Sequence, residues 1–195
     1  MLITDEFEVE HPIERVWEFF GDIPQVAKCL PGTQLNEELG PDHYGGGVEI
    51  GLGPVKLSFD GNAKILERNS DDRTLKIDAE GAEKKGRGQA QMLVDAALHE
   101  TAGGTKVDIA MDLNLSGAAA QFGRGLVGDV TAVLLKDFTA NAEARLDAIA
   151  DGRNPDEVGS VASRPSGFAI GLAAAKMALM RVFRRFFLPY SPETV

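Results

Sequence analysis

Three histidines and one cysteine are the side chains of this sequence best suited to metal binding or nucleophilic chemistry. His11, His43 and His99 are separated by 32 and 56 residues, and none has a His, Asp or Glu at ligand spacing on one predicted helical face. The single cysteine, Cys29, excludes a disulfide framework and a cysteine-based zinc site. We therefore expect surface or edge-strand histidines, a cysteine that acts as a small buried apolar group, and no metal.

One glycine pattern matches the spacing of a dinucleotide-binding loop. It is Gly-Arg-Gly-Leu-Val-Gly at residues 123–128. Such a loop needs a strand leading straight into the glycines and a parallel strand afterwards, whereas here a helical pattern continues to about Gly152. We expect no nucleotide site and interpret the glycines as a weak helix start, since each costs about 1 kcal/mol relative to alanine.

The charge of the chain is divided between an acidic body and a basic C-terminal segment. Residues 1–157 carry 15 basic and 29 acidic side chains, which argues against nucleic acid as a partner. Residues 166–195 hold an apolar stripe at helical spacing with cations beside it, which is typical of a basic amphipathic helix that binds a membrane surface. The expected membrane-binding residues are Phe168, Leu172, Lys176, Leu179, Arg181, Val182, Phe183, Arg184, Arg185 and Phe186.

Two other fates of this tail stay open. The apolar stripe could fill a groove on a partner protein or on the acidic body itself. A membrane span is less favourable, because Lys176 and Arg181 would lie deep in the bilayer at about 2.5 to 3.5 kcal/mol each. The N-terminus has no basic region followed by an apolar run, so we expect no signal peptide and a cytoplasmic protein at the inner face of the membrane.

The elements before the tail follow the pattern of one α+β domain over residues 1–150. A strand over residues 2–10 is followed by two short helices, and an alternation of period two from Thr33 to about Leu115 predicts an antiparallel meander. A helical stripe then predicts one long helix through Val127, Val130, Leu134, Phe138, Ala142 and Leu146. Residues 151–165 are rich in polar and helix-breaking residues and are expected to form a flexible linker.

This order of elements is that of a helix-grip fold, in which a curved antiparallel sheet wraps the long C-terminal helix. Small residues on the predicted inward side would leave room for an apolar, ligand-sized cavity. Alternatively, the glycines among them serve only sheet curvature. These small residues are Gly45, Gly46, Gly47, Gly61, Ala63, Ala79, Ala90 and Ala96.

Five short motifs in this order resemble the carbon monoxide dehydrogenase G-subunit family of the START-like superfamily, over about residues 3–150. The motifs are VWEFFGD at 16–22, LPG at 30–32, GLGPV at 51–55, GT at 104–105 and GAAAQFG at 117–123. The helix after Gln121 departs from the family pattern because Gly123, Gly125 and Gly128 make it richer in glycine. The tail is similar to those members that extend past the domain with a membrane-directed segment.

The resemblance implies a START-like fold and a non-enzymatic accessory protein. Such proteins recruit molybdenum-containing CO dehydrogenases or related hydroxylases to the cytoplasmic membrane, or handle a lipid-soluble quinone for them. The ligand would be an isoprenoid quinone, menaquinone or ubiquinone, with no covalently bound cofactor. Two alternatives are a START-like enzyme and a general lipid-binding protein for hydrophobic small molecules. Two convergent polar side chains inside the cavity would favour the enzyme. The predicted inward faces contain almost no polar side chains.

The predicted ligand site combines an apolar lining with a portal at the start of the long helix. Arg124 would donate to a quinone carbonyl there; otherwise it is a solvated cation and the aromatic residues are ordinary core. The expected lining residues are Trp17, Phe20, Phe59, Met92, Met111 and Phe138. The expected portal residues are Gln121, Phe122, Arg124 and Leu126.

Overall fold

The computed structural model describes residues 1–52, 55–86 and 88–158. Within these ranges, seven strands and three α-helices follow each other. The strands are β1 Leu2–Val9, β2 Thr33–Gly40, β3 His43–Leu52, β4 Val55–Asn69, β5 Thr74–Glu83, β6 Gln89–Thr101 and β7 Gly104–Leu115. The helices are α1 Ile13–Gly21, α2 Ile23–Cys29 and α3 Gly123–Ala150, with short 3-10 helices at Gly117–Phe122 and Pro155–Glu157.

The seven strands form one antiparallel sheet in the order β1-β7-β6-β5-β4-β3-β2. From β2 to β7 each strand pairs with the next one along the chain, which confirms the predicted meander. The first strand pairs with the last, from Leu2 opposite Asp112 to Val9 opposite Thr105. The curved sheet and the long C-terminal helix confirm the predicted α+β helix-grip fold.

Local sequence signals place the two short helices between β1 and β2. Pro12 precedes α1, where the N–H that proline lacks would have no helical acceptor. Asp22 separates the helices and caps α2, because its carboxylate accepts from the Gln25 backbone N–H at 3.1 Å. The side of α1 that carries Phe19 and Phe20 is buried.

Helix α3 spans 28 residues, about 42 Å at 1.5 Å per residue. Most of its predicted apolar stripe is buried, whereas Val127 and Leu134 stay partly exposed. The buried members are Val130, Phe138, Ala142 and Leu146. The second half of α3 is therefore packed more tightly than the first.

The interior contains three separate apolar clusters among the described residues. The largest forms where α1, α2 and the second half of α3 meet the sheet, and we term this part the closed end. Its buried members are Val9, Val16, Phe19, Phe20, Ile23, Cys29, Ile65, Leu75, Ala96, Leu98, Val107, Phe138, Ala142 and Leu146. Two smaller clusters, around Phe59 and around Val130, lie in the rest of the interior, which we term the open half.

Candidate functional site

The closed end is a continuous aromatic core. Phe20 and Phe138 lie 6.0 Å apart between ring centroids, and Phe7 contacts both, at 6.4 Å from Phe20 and 5.7 Å from Phe138. Both predicted lining residues are nearly inaccessible to solvent. The structure thus places Phe20 and Phe138 in packed core.

Trp17 borders this core from outside. It is partly exposed and packs against the closed end. The Arg73 guanidinium carbon lies 5.6 Å from the centre of its ring, which is a cation–π distance. Trp17 would therefore contact a hydrophobic ligand only at the edge of the interior.

The open half contains a row of inward-facing side chains that crosses four strands. Ala63 pairs with Ala79, Ala79 with Met92, and Met92 with Leu113, so the four residues share one face of the sheet. We term them the central row. All four stay partly exposed, and none belongs to the three clusters found among the described residues.

The neighbouring inward positions on β6 and β7 are also apolar and partly exposed. Val94 and Met111 are cross-strand partners, and both are partly exposed outside the three clusters of the described chain. Leu75 and Ala96, one step further along the same face, are buried in the closed end. The predicted lining residues Met92 and Met111 therefore lie together, in the part of the inner face that other side chains leave uncovered.

A row of glycines beside the central row explains the curvature of the sheet. Gly46 pairs with Gly61, and Gly61 with Gly81. A Cβ on Gly61 would lie 1.8 Å from the Glu80 carbonyl oxygen, so only glycine fits this approach of two strands. The close approach of β4 and β5 is thus the reason for glycine at this position.

Two glycines expected on the inward side face outward instead. Gly45 pairs with Asn62 and Gly47 with Asp60, both on the outer face of the sheet. A Cβ on Gly47 would lie 2.9 Å from the Asp60 side chain. The prediction was wrong for these two because three consecutive glycines give no alternation from which to infer a face.

The predicted portal lies after β7, where the 3-10 helix Gly117–Phe122 meets α3. Gly123 has a φ of 70° at this junction, Gln121 is exposed, and Leu126 is partly exposed against the cluster of Val130. Leu126 therefore lies next to the open half. The side chains of Phe122 and Arg124 lie outside the described residues, so their expected roles stay predictions.

Phe59 lies further along the inner face than the central row. It is buried with Leu57 and contacts the partly buried Val48, Ala90 and Leu115. This small cluster closes the far end of the sheet near the β3–β4 turn. Phe59 is thus separated from Phe20 and Phe138 by the central row.

Sequence reasoning missed one polar residue of the inner face, Glu83. It lies opposite Phe59 in the register of β4 and β5, is only 4% exposed, and accepts from the Lys85 backbone N–H at 2.8 Å. The signal was present, because the inward alternation of Leu75 and Ile77 reaches position 83 when continued.

The chain leaves α3 through an ordered segment at the closed end. One Asp156 carboxylate oxygen accepts from Lys28 at 2.6 Å, from Gln25 at 3.3 Å and from Arg145 at 3.4 Å. The Lys28 hydrogen bond is the main cause that holds the pKa of Asp156 below its usual value. The first part of the predicted linker therefore lies against α2 and α3.

The predicted membrane-binding residues of the tail, 168 to 186, lie outside the described residues. Within the part that is described, no helix combines the length and the apolar character needed to cross a bilayer. The interfacial and partner-binding alternatives for the tail both stay predictions.

Cys29 is a packing residue. It is inaccessible to solvent, its thiol donates to the Gln25 carbonyl at 3.4 Å, and burial raises its pKa to about 11. A protonated and inaccessible thiol is a poor nucleophile.

The glycines at the start of α3 have no dinucleotide-binding context. They follow a 3-10 helix, and the described sheet is antiparallel throughout, so no parallel strand follows α3 in it. The strand–turn–helix geometry of a nucleotide loop is therefore missing from the described chain.

A comparison with protein-family models decides the family. The model described as CoxG, the G subunit of carbon monoxide dehydrogenase, matches residues 6–147. The chain belongs to this family. The match covers every strand except the start of β1, together with all of α1 and α2 and most of α3, so the predicted membership of the CoxG family is confirmed.

Solved structures share the fold of this CoxG family member at low sequence identity. A conserved protein of Geobacillus kaustophilus has a TM-score of 0.67 and 22% identity, covering 79% of this chain and 98% of its own. A Thermus thermophilus protein has a TM-score of 0.57 and 13% identity, with 77% and 99% coverage. An uncharacterised Rhizobium leguminosarum protein has a TM-score of 0.52 and 16% identity, with 71% and 91% coverage. A search of curated proteins found no match.

Proposed function

We propose that this protein is a non-catalytic accessory protein that binds a lipid-soluble quinone in its open half and recruits a molybdenum CO dehydrogenase-type hydroxylase to the cytoplasmic membrane. The observation that carries the proposal is the central row. Its apolar side chains face inward, stay partly exposed and lie outside the packed clusters of the described chain. Folding normally buries such side chains, so their exposure favours a ligand that covers them.

An isoprenoid quinone fits the chemistry of this surface. Its chain is long and apolar, and its head offers two carbonyl acceptors. The residues around Ala79, Met92 and Leu113 supply apolar contact, and methionines adapt their shape to a flexible chain. A hydrogen-bond donor for a carbonyl is still required, and Arg124 at the start of α3 remains our candidate.

The family supports the choice of partner. The family is described as the G subunit of carbon monoxide dehydrogenase. This description supports a molybdenum-containing CO dehydrogenase or a related hydroxylase as the protein to be recruited. The basic tail at residues 166–195 supports recruitment to an anionic membrane, because each cation near such a surface contributes about 1 kcal/mol. The acidic body would remain in the aqueous phase.

A binding experiment tests the ligand proposal. Ala79→Phe fills the centre of the inner face, whereas Ala82→Phe places the same ring on the exposed outer face of the same strand. A short-chain menaquinone analogue should bind the wild-type protein and the Ala82→Phe variant alike, and Ala79→Phe should weaken binding at least tenfold. Equal binding by both variants, or no binding by the wild type, would contradict a quinone site on the central row.

A vesicle experiment tests the tail. Removal of residues 166–195 should abolish sedimentation with vesicles containing anionic phospholipid, while circular dichroism reports an unchanged body. Leu172→Ser with Leu179→Ser interrupts the centre of the apolar stripe and keeps the charge. Loss of binding in this variant supports insertion at the interface, and unchanged binding would contradict it.

A START-like enzyme acting on a hydrophobic molecule is the second candidate, and buried Glu83 is the observation that favours it. A carboxylate beside an apolar site can act as a general acid or base. Ligand extracted from the native protein and incubated again with fresh protein should keep its mass if the protein is a carrier. A mass change that Glu83→Gln abolishes would favour the enzyme.

A further inference from the structure

Three ligating side chains converge on the surface of the closed end, away from the proposed quinone site. His11 follows β1, and Glu143 and Asp147 are four residues apart on one face of α3. The His11 Nε2 lies 3.1 Å from Asp147 Oδ1 and 3.7 Å from Glu143 Oε1. One ligand atom from each residue lies within 4.8 Å of the other two.

The geometry points to a binding site for one divalent transition-metal ion on His11, Glu143 and Asp147. Zinc bonds to imidazole nitrogen and carboxylate oxygen are about 2.0 to 2.2 Å long, so tetrahedral ligands stand roughly 3.3 Å apart. The two observed distances lie on either side of this value. The Glu143 carboxylate accepts from the Glu10 backbone N–H at 3.0 and 3.3 Å, so metal binding must turn it away from this contact.

The imidazole is built into the fold and is held at this place. His11 is only 6% exposed, and its carbonyl oxygen accepts from the buried Thr105 hydroxyl at 2.8 Å. Its Nε2 faces the two carboxylates, which are more open, at 30% exposure for Glu143 and 59% for Asp147. The site therefore combines one fixed nitrogen ligand, the exposed carboxylate of Asp147, and a Glu143 carboxylate that the Glu10 backbone N–H orients.

The surroundings attract a cation. Glu143 and Asp147 line a surface concavity together with Glu8 and Glu10, and Lys136 is the basic residue in that lining. Solvent reaches the carboxylates from this side, so water can complete the coordination. One nitrogen and two oxygen ligands suit zinc and cobalt, and the site lacks the thiolates that would favour copper(I).

Arg15 opposes metal binding in a way that can be measured. Its Nη1 lies 3.5 Å from His11 Nδ1, so Nδ1 accepts from Arg15 while the Nε2–H donates to Asp147. A metal on Nε2 requires the ring proton on Nδ1, where it faces the Arg15 donor. Metal binding must therefore turn the partly exposed Arg15 away.

The test titrates Zn²⁺ and Co²⁺ into the chelator-treated full chain, without an affinity tag, by calorimetry. We expect one ion per chain and a Co²⁺ spectrum of nitrogen and oxygen ligation without a thiolate band, since Cys29 is buried. His11→Gln and Asp147→Asn should weaken binding at least tenfold. His99→Gln, which removes an exposed histidine paired with Asp108, should leave it unchanged.

A variant of Arg15 sharpens the test and does not depend on the stability of the His11 variant. Arg15→Gln removes the opposing cation and offers a carbonyl acceptor to the Nδ1–H, an arrangement that orients metal-bound histidines in many proteins. We expect roughly tenfold tighter Zn²⁺ binding. Equal affinity in wild-type, Asp147→Asn and Arg15→Gln proteins, or no saturable binding, would overturn the site.

Discussion

The closed end and the open half are made from the same sheet and the same helix, yet they are packed differently. At the closed end Leu146 and Val107 are inaccessible to solvent, whereas Leu113 and Met92, on the same inner face of the sheet as Val107, stay partly exposed. The difference follows from α1 and α2, which cover only the closed end. One end thus supplies stability, and the other keeps apolar surface free for a ligand.

The last described residues, which follow α3, also lie at the closed end. Asp156 is bound to Arg145, which lies 22 residues after Gly123 along α3, or about 33 Å at 1.5 Å per residue. The last described residues and the expected portal are therefore at opposite ends of the helix.

The largest effect expected from this comparison is on stability. Leu146→Ala should lower the free energy of unfolding by about 3 to 5 kcal/mol, because it empties space in a packed core. Leu113→Ala, the matched change in the central row, should cost less than about 1.5 kcal/mol, since solvent already reaches the site. Denaturant unfolding of both variants measures the difference, and equal losses would contradict the distinction between the two parts.

Cys29 gives a chemical test of the closed end. With the pKa raised from 9.0 to about 11, roughly 0.1% of the thiol is ionised at pH 8, against about 9% without the shift. Alkylation of the folded protein at pH 8 should therefore be roughly 100-fold slower than that of the unfolded protein. Comparable rates before and after unfolding would show that the closed end opens readily.

The smallest expected effect concerns the segment after α3. Asp156 has a lowered pKa in the folded protein, so its contacts persist above the usual aspartate pKa and are lost as the pH falls through the lowered value. At pH 7, Asp156→Asn should weaken amide-exchange protection at residues 156–158 and leave α3 unchanged. Asp151→Asn is the control, since exposed Asp151 pairs only with Arg153 among the described partners.

Much of the fold could be predicted because its signals are periodic. The alternation of Leu57 and Phe59 and the helical spacing of Phe138, Ala142 and Leu146 gave the correct elements. The glycines at 45–47 gave no alternation, so their faces were assigned wrongly. Periodicity also cannot tell which inward residue is packed, since Phe20 and Met92 both lie on inward stripes and differ only in what covers them.

The cluster of His11, Glu143 and Asp147 was missed for a different reason. Glu143 and Asp147 lie 132 and 136 positions after His11 in the sequence. Only the pairing of β1 with β7 and the return of α3 along the sheet bring the three residues together. The spacing of Glu143 and Asp147 is a signal of a shared helical face. This signal becomes informative only when the fold places His11 beside the two carboxylates. His11 is buried, so the expectation that it lies at the surface was wrong.

Hydrogen exchange with and without a short-chain menaquinone analogue tests the central claim most directly. Bound quinone should slow amide exchange in β5, β6 and β7 around Ala79, Met92 and Met111, and at the start of α3 near Leu126. Exchange in α1 and α2 should not change. Protection confined to the closed end or to the outer face of the sheet, or no change at saturating quinone, would contradict a ligand site in the open half.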